Sequence, residues 1–372
     1  MKKIAVAVIN DLSTDQRVRK TCTSLLKLHW QPVLIGRKLP KSKAISRPYR
    51  IIRMQCFINQ GPFFYAIYNI QLFVRLLFLK LEAIWANDLD TMLACSMAAK
   101  FKSVPLIYDS HEFFTEVPEI SHKPIVKWVW KTIEKITLPK ANHLITVSDG
   151  IANLFEQNYG RHPVVMRNIP EQKKQQITHS LTRKELGIPD NHLLLILQGS
   201  GINIDRGAEE LIEAMAVLKN VSLLIVGDGD VLPFLKSRVV ELNLTHVKML
   251  PKQPYEQLMR YTQLADVGLT LDKSSNLNYR YSLPNKLFDY IGAHTPVISS
   301  PLPEVNKIIA QYDVGWVLKA HSVEAIVNQV GEIKNNPEAL LEKVEKCKHA
   351  SKHLSWEQEA ICIQQIIHEI ER

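Results

Sequence analysis

The segment QGSGINIDRG, residues 198–207, sets Gly199, Ser200 and Gly201 ahead of Arg206. Small residues let backbone N–H groups approach an anion, and a guanidinium adds a cation that can grip phosphate. A second anion-seeking end lies in YSLPNKLFDYIGAHTPVISS, residues 281–300. Pro284 suits a first helical position, with Ser282 or Leu283 as the cap, and free N–H groups then point outward near 285–286. A helix begun there puts Leu287, Phe288 and Ile291 on one face and Asn285 and Asp289, four apart, on another. The Asn285 amide, the Lys286 ammonium and free N–H groups suit a diphosphate; the Asp289 carboxylate, one turn deeper, suits a pair of sugar hydroxyls. Asp289 could equally serve the helix dipole alone.

Three further clusters are weaker signals. Gly227 and Gly229 in VGDGD (226–230) permit a turn that opens a helix, but neither here nor after the first strand is there a Gly-x-Gly-x-x-Gly, which argues against a dinucleotide dehydrogenase. YDSHEFFTEVPE (108–119) concentrates Asp109, His111, Glu112, Glu116 and Glu119, and a histidine after a strand can exchange a hydrogen bond with a substrate hydroxyl near neutral pH. Asn87-Asp88-Leu89-Asp90 has the Asp-x-Asp spacing of metal-dependent sugar transfer, yet either aspartate would cap the next helix and no carboxylate or histidine cluster completes a metal site. Asp11, Asp15 and Arg17 in NDLSTDQRVRK (10–20) mark either a helix start or an acceptor-binding loop.

These residues sit where they do because short apolar runs alternate with longer amphipathic ones. Strands are predicted at 4–9, 32–36, 83–87, 104–109 and 143–148, with helices near 14–30, 64–82, 90–101, 124–138 and 149–157. A polar stretch at 167–180 interrupts the alternation and reads as a linker. Strands are predicted again at 192–200, 221–230, 246–250, 265–272 and 295–300. Continuous apolar strands separated by helices indicate parallel sheets covered on both faces, so the fold class is α/β with two doubly wound domains. Ile361, Ile363, Ile366, Ile367 and Ile370 fall at helical spacing in a closing segment, 356–372. Open α/β sheets bind ligands beyond the carboxyl ends of their strands, and two such domains would leave a cleft.

With 372 residues, 46% hydrophobic and 22% charged, the composition is that of a soluble globular protein with room for two cores. Five widely spaced cysteines suggest neither a disulfide framework nor a zinc site, and a reducing cytosol is expected. No signal peptide or membrane span is read. The net charge of +9 sits in the first half, where residues 1–170 carry 24 Lys/Arg against 12 Asp/Glu. An acid-free block holding Arg37, Lys38, Lys41, Lys43, Arg47, Arg50 and Arg53 is either a solvated loop or an anionic-membrane contact. No nucleic-acid-binding pattern is evident.

Taken together, these segments resemble the retaining glycosyltransferases of family four over nearly the whole chain. The resemblance implies the GT-B architecture: an acceptor-binding Rossmann-like domain at 1–168, a nucleotide-sugar-binding one at 169–352, and a final helix, 353–372, crossing back to the first. Asp289 falls at the second acid of the family's Glu-x7-Glu donor signature, expected on the ribose. Residues 282–285 fall where the family's backbone contacts sugar and diphosphate. Arg206 matches the phosphate-gripping lysine, and His111 the histidine near the reactive centre. The implied catalytic set is His111, Arg206 and Asp289. Donor contacts are implied for Gly199, Ser200, Gly201, Arg206, Gly227, Lys252, Ser282, Leu283, Pro284, Asn285, Lys286 and Asp289. Acceptor contacts are implied for Asp11, Asp15, Arg17, Asp88 and Glu112. No metal and no cofactor are expected; the co-substrate would be a UDP- or GDP-type sugar.

Three positions depart from the family pattern. Tyr281 replaces the first signature acid, Ser200 stands where an arginine is usual, and Asn10-Asp11-Leu12 replaces a Gly-Gly turn. The expected reaction is front-face transfer of a sugar, with retention, to a hydroxyl of a glycan or lipid-linked acceptor in surface polysaccharide synthesis. It would take place in the cytoplasm or at the inner face of the cell membrane. The alternatives are a nucleotide-sugar epimerase of the same architecture and a non-catalytic sugar-nucleotide-binding subunit.

Overall fold

Every apolar run predicted in the first half is a strand of one parallel sheet in the computed structural model, which describes residues 1–13, 15–40, 42–171 and 181–372. The whole sheet holds β1 (Lys3–Asp11), β2 (Gln31–Arg37), β3 (Arg50–Met54), β4 (Ala83–Asn87), β5 (Leu106–Asp109), β6 (His143–Thr146) and β7 (Val164–Val165), in the order β3-β2-β1-β4-β5-β6-β7. A second parallel sheet holds β8 (Leu193–Gly199), β9 (Val221–Gly227), β10 (Val247–Pro251), β11 (Val267–Thr270), β12 (Val297–Ser299) and β13 (Gly315–Val317), in the order β10-β9-β8-β11-β12-β13. The chain divides into two compact units. The first comprises Met1–Asn168, Asn276–Asn278 and Glu359–Arg372; the second comprises Ile169–Ser275 and Tyr279–Gln358. Residues 172–180 of the predicted linker, Lys41 of the basic block and the side chain of Glu119 lie outside the described residues.

The α/β fold class is as expected, because central strands such as β4 and β9 are buried throughout and announce themselves as unbroken apolar runs. The reading missed β3, β7 and β13, each an edge strand paired to one neighbour. An edge needs no continuous apolar run, and β7 and β13 have only two and three residues. The miss of β3 corrects the reading of the basic block as loop. Arg50 and Arg53 lie in that strand, the Arg53 guanidinium pairs with Asp11 at 3.2 Å, and Arg37 stacks over the Phe64 ring at 4.7 Å.

The closing segment is two helices, Trp356–Glu359 and Ile361–Glu371, rather than one. Its buried face is Cys362, Ile363, Ile366 and Ile367, whereas Ile361 is exposed. Glu371 accepts from Trp30 Nε1 at 3.1 Å, and the Arg167 guanidinium grips Glu359 through two nitrogens, so Glu359–Arg372 is tied into the first unit.

In both sheets the strand order reverses beside the first strand of the unit, between β1 and β4 and between β8 and β11. Crossovers depart to opposite sides there, leaving room beyond the carboxyl ends. Most of the sequence-predicted residues fall at those ends.

Candidate functional site

In the second unit the loop after β8 and the loop after β9 are laced together by backbone. Ile202 N donates to Asp228 O at 2.8 Å, and Asp228 N to Gly199 O at 3.1 Å. A Cβ at Gly227 would lie 1.8 Å from Gly199 O, and one at Gly229 would lie 2.1 Å from Ile202 O, so both glycines are required by close backbone approach. Gly199 and Gly201 are different: a Cβ at either would meet nothing nearer than 3.7 Å. Packing leaves them unconstrained, and Ser200 and Gly201 are exposed.

Gly207, with φ of +75°, ends this loop as the cap of the helix Ala208–Met215. A Cβ there would come within 2.3 Å of Leu271 O, which brings the loop against the end of β11. Lys273 N also donates to Asp205 O at 2.9 Å. Arg206 is thereby delivered to Asp272, with Nη1 at 3.2 Å from Oδ1 and the guanidinium stacked 4.1 Å from the centroid of the Tyr279 ring. Lys286 Nζ approaches the same Asp272 oxygen at 3.5 Å. Asp272 is fully buried. Burial pulls the Lys286 ammonium below the usual lysine range, with Arg206 adding to the effect and Asp272 opposing it. Two cations thus converge on one carboxylate at the switch point of the sheet.

The helix of the donor-like signature runs Asn285–Gly292 with Pro284 as its cap, one residue later than predicted. Pro284 takes extended backbone, φ −68° and ψ 135°, so it precedes the helix rather than opening it. Leu287, Phe288 and Ile291 are buried, as the spacing requires, and Asn285 is exposed. Asp289 accepts from Tyr255 Oη at 2.8 Å and Gln198 Nε2 at 3.4 Å, which fixes its carboxylate near the end of β8. Ser282 Oγ donates to Tyr279 O, Leu283 packs on the core, and Lys252 lies exposed directly after β10. Tyr281, at the substituted signature position, lies beneath the Arg280 guanidinium at 5.6 Å.

In the first unit, His111 is held at the carboxyl ends of β4 and β5. Its backbone N donates to Asp88 Oδ1 at 2.9 Å; Nδ1 lies 3.1 Å from Asp88 Oδ2, and Nε2 lies 3.2 Å from Asn87 Oδ1 and 3.6 Å from Asp109 Oδ2. Asn87 Nδ2 donates to Ala7 O, so its oxygen is the atom turned to the ring. Burial opposes the imidazolium, but the Asp88 and Asp109 carboxylates outweigh it and raise the ring to about 10. The ring is 19% exposed and carries charge at neutral pH.

Arg17 is buried and makes a two-pronged pair with Asp109, at 2.6 and 3.2 Å, while Nη1 donates to Met166 O. Burial pushes Asp109 up, but Arg17 and His111 together hold it well below the usual carboxylate range. Asp15 caps the helix Gln16–Lys27 by accepting from Val18 N, which settles the helix-start alternative for that residue. Asp11 accepts from Ser42 Oγ at 2.6 Å and pairs with Arg53. Glu112 accepts from Asn278 Nδ2 at 3.3 Å. Asp88 has no capping bond to its helix, in contrast to the cap reading; its carboxylate is spent on His111. Asp90 is buried and strongly raised by burial and by Asp88, and its backbone O accepts from Asn69.

The structure therefore brings Arg206, Lys286, Gly199–Gly201 and Asp289 to one edge of the second sheet, and His111 and Asp88 to one edge of the first. Arg17, Asp15 and Asp11 are engaged by local partners: Asp109, Val18 N, and Ser42 with Arg53. Sequence reasoning missed Asp272, Tyr279, Tyr255 and Gln198. A signal existed for two of them, since Gln198 and Asp272 are polar residues at the last positions of apolar runs. Among the described residues no three His, Cys, Asp or Glu side chains are grouped to hold a metal ion.

Two parallel-sheet Rossmann-like units with these edges define a protein of the GT-B class. Residues 15–170 match the family model described as Glycosyltransferase Family 4, and residues 180–354 match Glycosyl transferases group 1. The chain belongs to the family-four type of glycosyltransferases. Similar solved structures include sucrose-phosphate synthase from Thermosynechococcus elongatus (TM-score 0.82, 16% identity, covering 100% of this chain and 99% of that one). HepE of Anabaena, solved in complex with UDP and glucose, has a TM-score of 0.77 at 14% identity, covering 99% of this chain and 100% of that one. WaaG, a glycosyltransferase involved in lipopolysaccharide biosynthesis, has a TM-score of 0.72 at 16% identity, covering 98% and 99%. No curated protein matches the sequence significantly.

Proposed function

We propose that the protein transfers a sugar from a nucleotide-diphosphate sugar to a hydroxyl of a glycan or lipid-linked acceptor, with retention and without a metal, in surface polysaccharide synthesis. The observation that carries this reading is the convergence of Arg206 and Lys286 on Asp272, at the edge where Gly199 and Gly201 carry no side chain and a Cβ would meet nothing nearer than 3.7 Å. Fixed cations and N–H groups aimed at a diphosphate stabilise the charge that develops as it leaves. Asp289 takes the role of accepting from the two ribose hydroxyls, a reading supported by the fixed orientation that Tyr255 and Gln198 give its carboxylate near the end of β8. A UDP-type donor is favoured by the UDP found in the HepE structure.

His111 acts here as a fixed cation beside the transferred sugar, its two ring N–H groups being held by Asp88 and Asn87. Held as imidazolium it is a poor base, which supports a front-face route in which the departing diphosphate oxygen takes the acceptor proton. Asp88 and Glu112 are the acceptor-side residues in this reading.

The test is incubation with UDP- and GDP-sugars and a lipid extract, followed by assignment of the anomeric configuration of the product by NMR. Transfer with the donor's configuration is the expected result. A changed sugar nucleotide formed without any acceptor would point to the epimerase, and tight nucleotide binding without turnover to a binding subunit.

A further inference from the structure

Three neighbouring helices of the first unit present an apolar surface to solvent. Pro124–Thr137 buries Trp130, Glu134 and Thr137, yet exposes Ile125, Trp128, Val129 and Ile136. Gly61–Leu77 buries Phe64, Tyr68 and Leu72 but also exposes Phe63, Ile70 and Val74, at the i, i+7, i+11 spacing of one helical face, and Phe78 follows at 86% exposure. Leu89–Lys102 lies between them and exposes Leu93 and Met97; Phe101 is 76% exposed. Tyr65 and Trp130 meet edge to face at 5.1 Å, so the outer helices also touch. The outward residues of one helix layer therefore form one surface.

The charge on this layer is one-sided. Residues 61–80, 89–102 and 123–140 carry nine Lys/Arg and two acids, and both acids, Asp90 and Glu134, are buried. Of the nine, Lys127 and Lys131 pair with Glu116 at 2.6 and 3.4 Å. Lys80, Lys102, Phe78 and Phe101 border a cavity of about 470 Å³ at one end of the layer, with Glu82, whose carboxylate accepts from Lys3 N, the one acid on its rim.

Large contiguous apolar patches mark interaction sites. A second copy of the chain would bring like charge against like. A protruding aromatic and aliphatic surface ringed by lysine instead complements an anionic bilayer, where apolar side chains enter the acyl boundary and ammonium groups meet the headgroups. No helix of the described residues is long and apolar enough to cross a membrane, so the layer would lie on the surface.

We propose that this helix layer docks the protein onto an anionic lipid surface, with Phe63, Ile70, Phe78, Phe101, Ile125 and Trp128 at the acyl boundary. The contact is placed on the helix layer and not on the basic stretch 37–53, part of which is strand or paired. The proposal goes beyond the transfer reaction and is tested without nucleotide or acceptor, so either can fail alone.

The full chain is mixed with vesicles of phosphatidylcholine alone or with added phosphatidylglycerol, and partition is read by co-sedimentation and tryptophan emission. Of the six tryptophans, Trp128 is 68% exposed, Trp30, Trp85, Trp130 and Trp356 are buried and Trp316 is half-buried, so a blue shift on binding reports Trp128. Partition at least about tenfold stronger onto the anionic vesicles, lost near 1 M salt where the screening length falls to about 3 Å, is the expected result. Trp128→Phe should bind but lose the blue shift. Phe78→Ser with Phe101→Ser, and separately Lys123→Glu with Lys135→Glu, should each weaken partition about tenfold. Melting temperatures without vesicles verify folding, and if the phenylalanine pair misfolds the lysine pair decides. Equal partition onto neutral vesicles, or none onto either, overturns the proposal. So does concentration-dependent dimerisation that the phenylalanine substitutions abolish, since a second copy would then cover this face.

Discussion

Arg206 and Lys286 share one oxygen of a buried carboxylate, Asp272 Oδ1, at 3.2 and 3.5 Å. The two cations come from different elements, Arg206 from the loop after β8 and Lys286 from the first turn of the helix Asn285–Gly292, and without a common anion they would repel. Asp272→Asn should therefore lower the stability of the ligand-free protein by about 3–5 kcal/mol, the usual consequence of stranding a buried charge. A nucleoside diphosphate supplies the missing negative charge, so the rise in melting temperature on adding UDP should be larger in the variant than in the wild type. An unchanged ligand-free melting temperature would remove Asp272 from this role.

Two pairs of glycines make opposite predictions. Gly227→Ala sets a methyl 1.8 Å from Gly199 O and should prevent folding or lower the melting temperature sharply. Gly201→Ala meets only an ordinary contact, 3.8 Å from Asn203 Nδ2, and should fold normally while weakening UDP binding, because the methyl obstructs the anion's approach to the backbone. Circular dichroism melts and UDP titrations separate the two.

Asp289→Asn should weaken UDP about tenfold, the scale of one lost charge-assisted hydrogen bond, and leave inorganic pyrophosphate nearly unaffected. Tyr255→Phe, which frees Asp289 Oδ1 from its donor at 2.8 Å, should move UDP affinity in the same direction by less. Equal losses for UDP and pyrophosphate would mean that Asp289 shapes the helix end and does not read ribose.

His111 has a folded-state value of about 10 against an ordinary value of 6.5, so its ionised form favours the folded state. That contribution is fully present below about 6.5 and disappears as pH rises through about 10. The melting-temperature gap between the wild type and His111→Gln should therefore be widest below about pH 6.5 and close as pH passes about 10. In turnover, the wild type should show no titration near 6.5, where a neutral catalytic histidine would.

Arg17 was a candidate acceptor residue, and its guanidinium is instead buried against Asp109 and Met166 O. Arg17→Ala should destabilise the protein by about 3–5 kcal/mol, by stripping the buried Asp109 of its two-pronged partner, and should disturb His111 through the shared carboxylate. A variant that folds normally and changes only acceptor KM would restore the acceptor role.

The alternation of apolar runs determined both sheets, since a strand buried on two faces can hardly be written otherwise, as in AIWAN and VSLLIVG. The positions of the candidate residues were also legible, because the polar residues just beyond the carboxyl ends of the strands in a doubly wound sheet are visible in one dimension. Edge strands were not legible: β3, β7 and β13 need only one neighbour and leave little apolar pattern. Nor was partnership. Arg17 and Arg206 look alike in sequence as cations beyond a strand, yet one lies within a buried ion pair with Asp109 and the other, beside Asp272, lines an open backbone edge. Which carboxylate meets which cation depends on residues 66 to 92 positions apart arriving at the same sheet edge, and only the tertiary packing decides that.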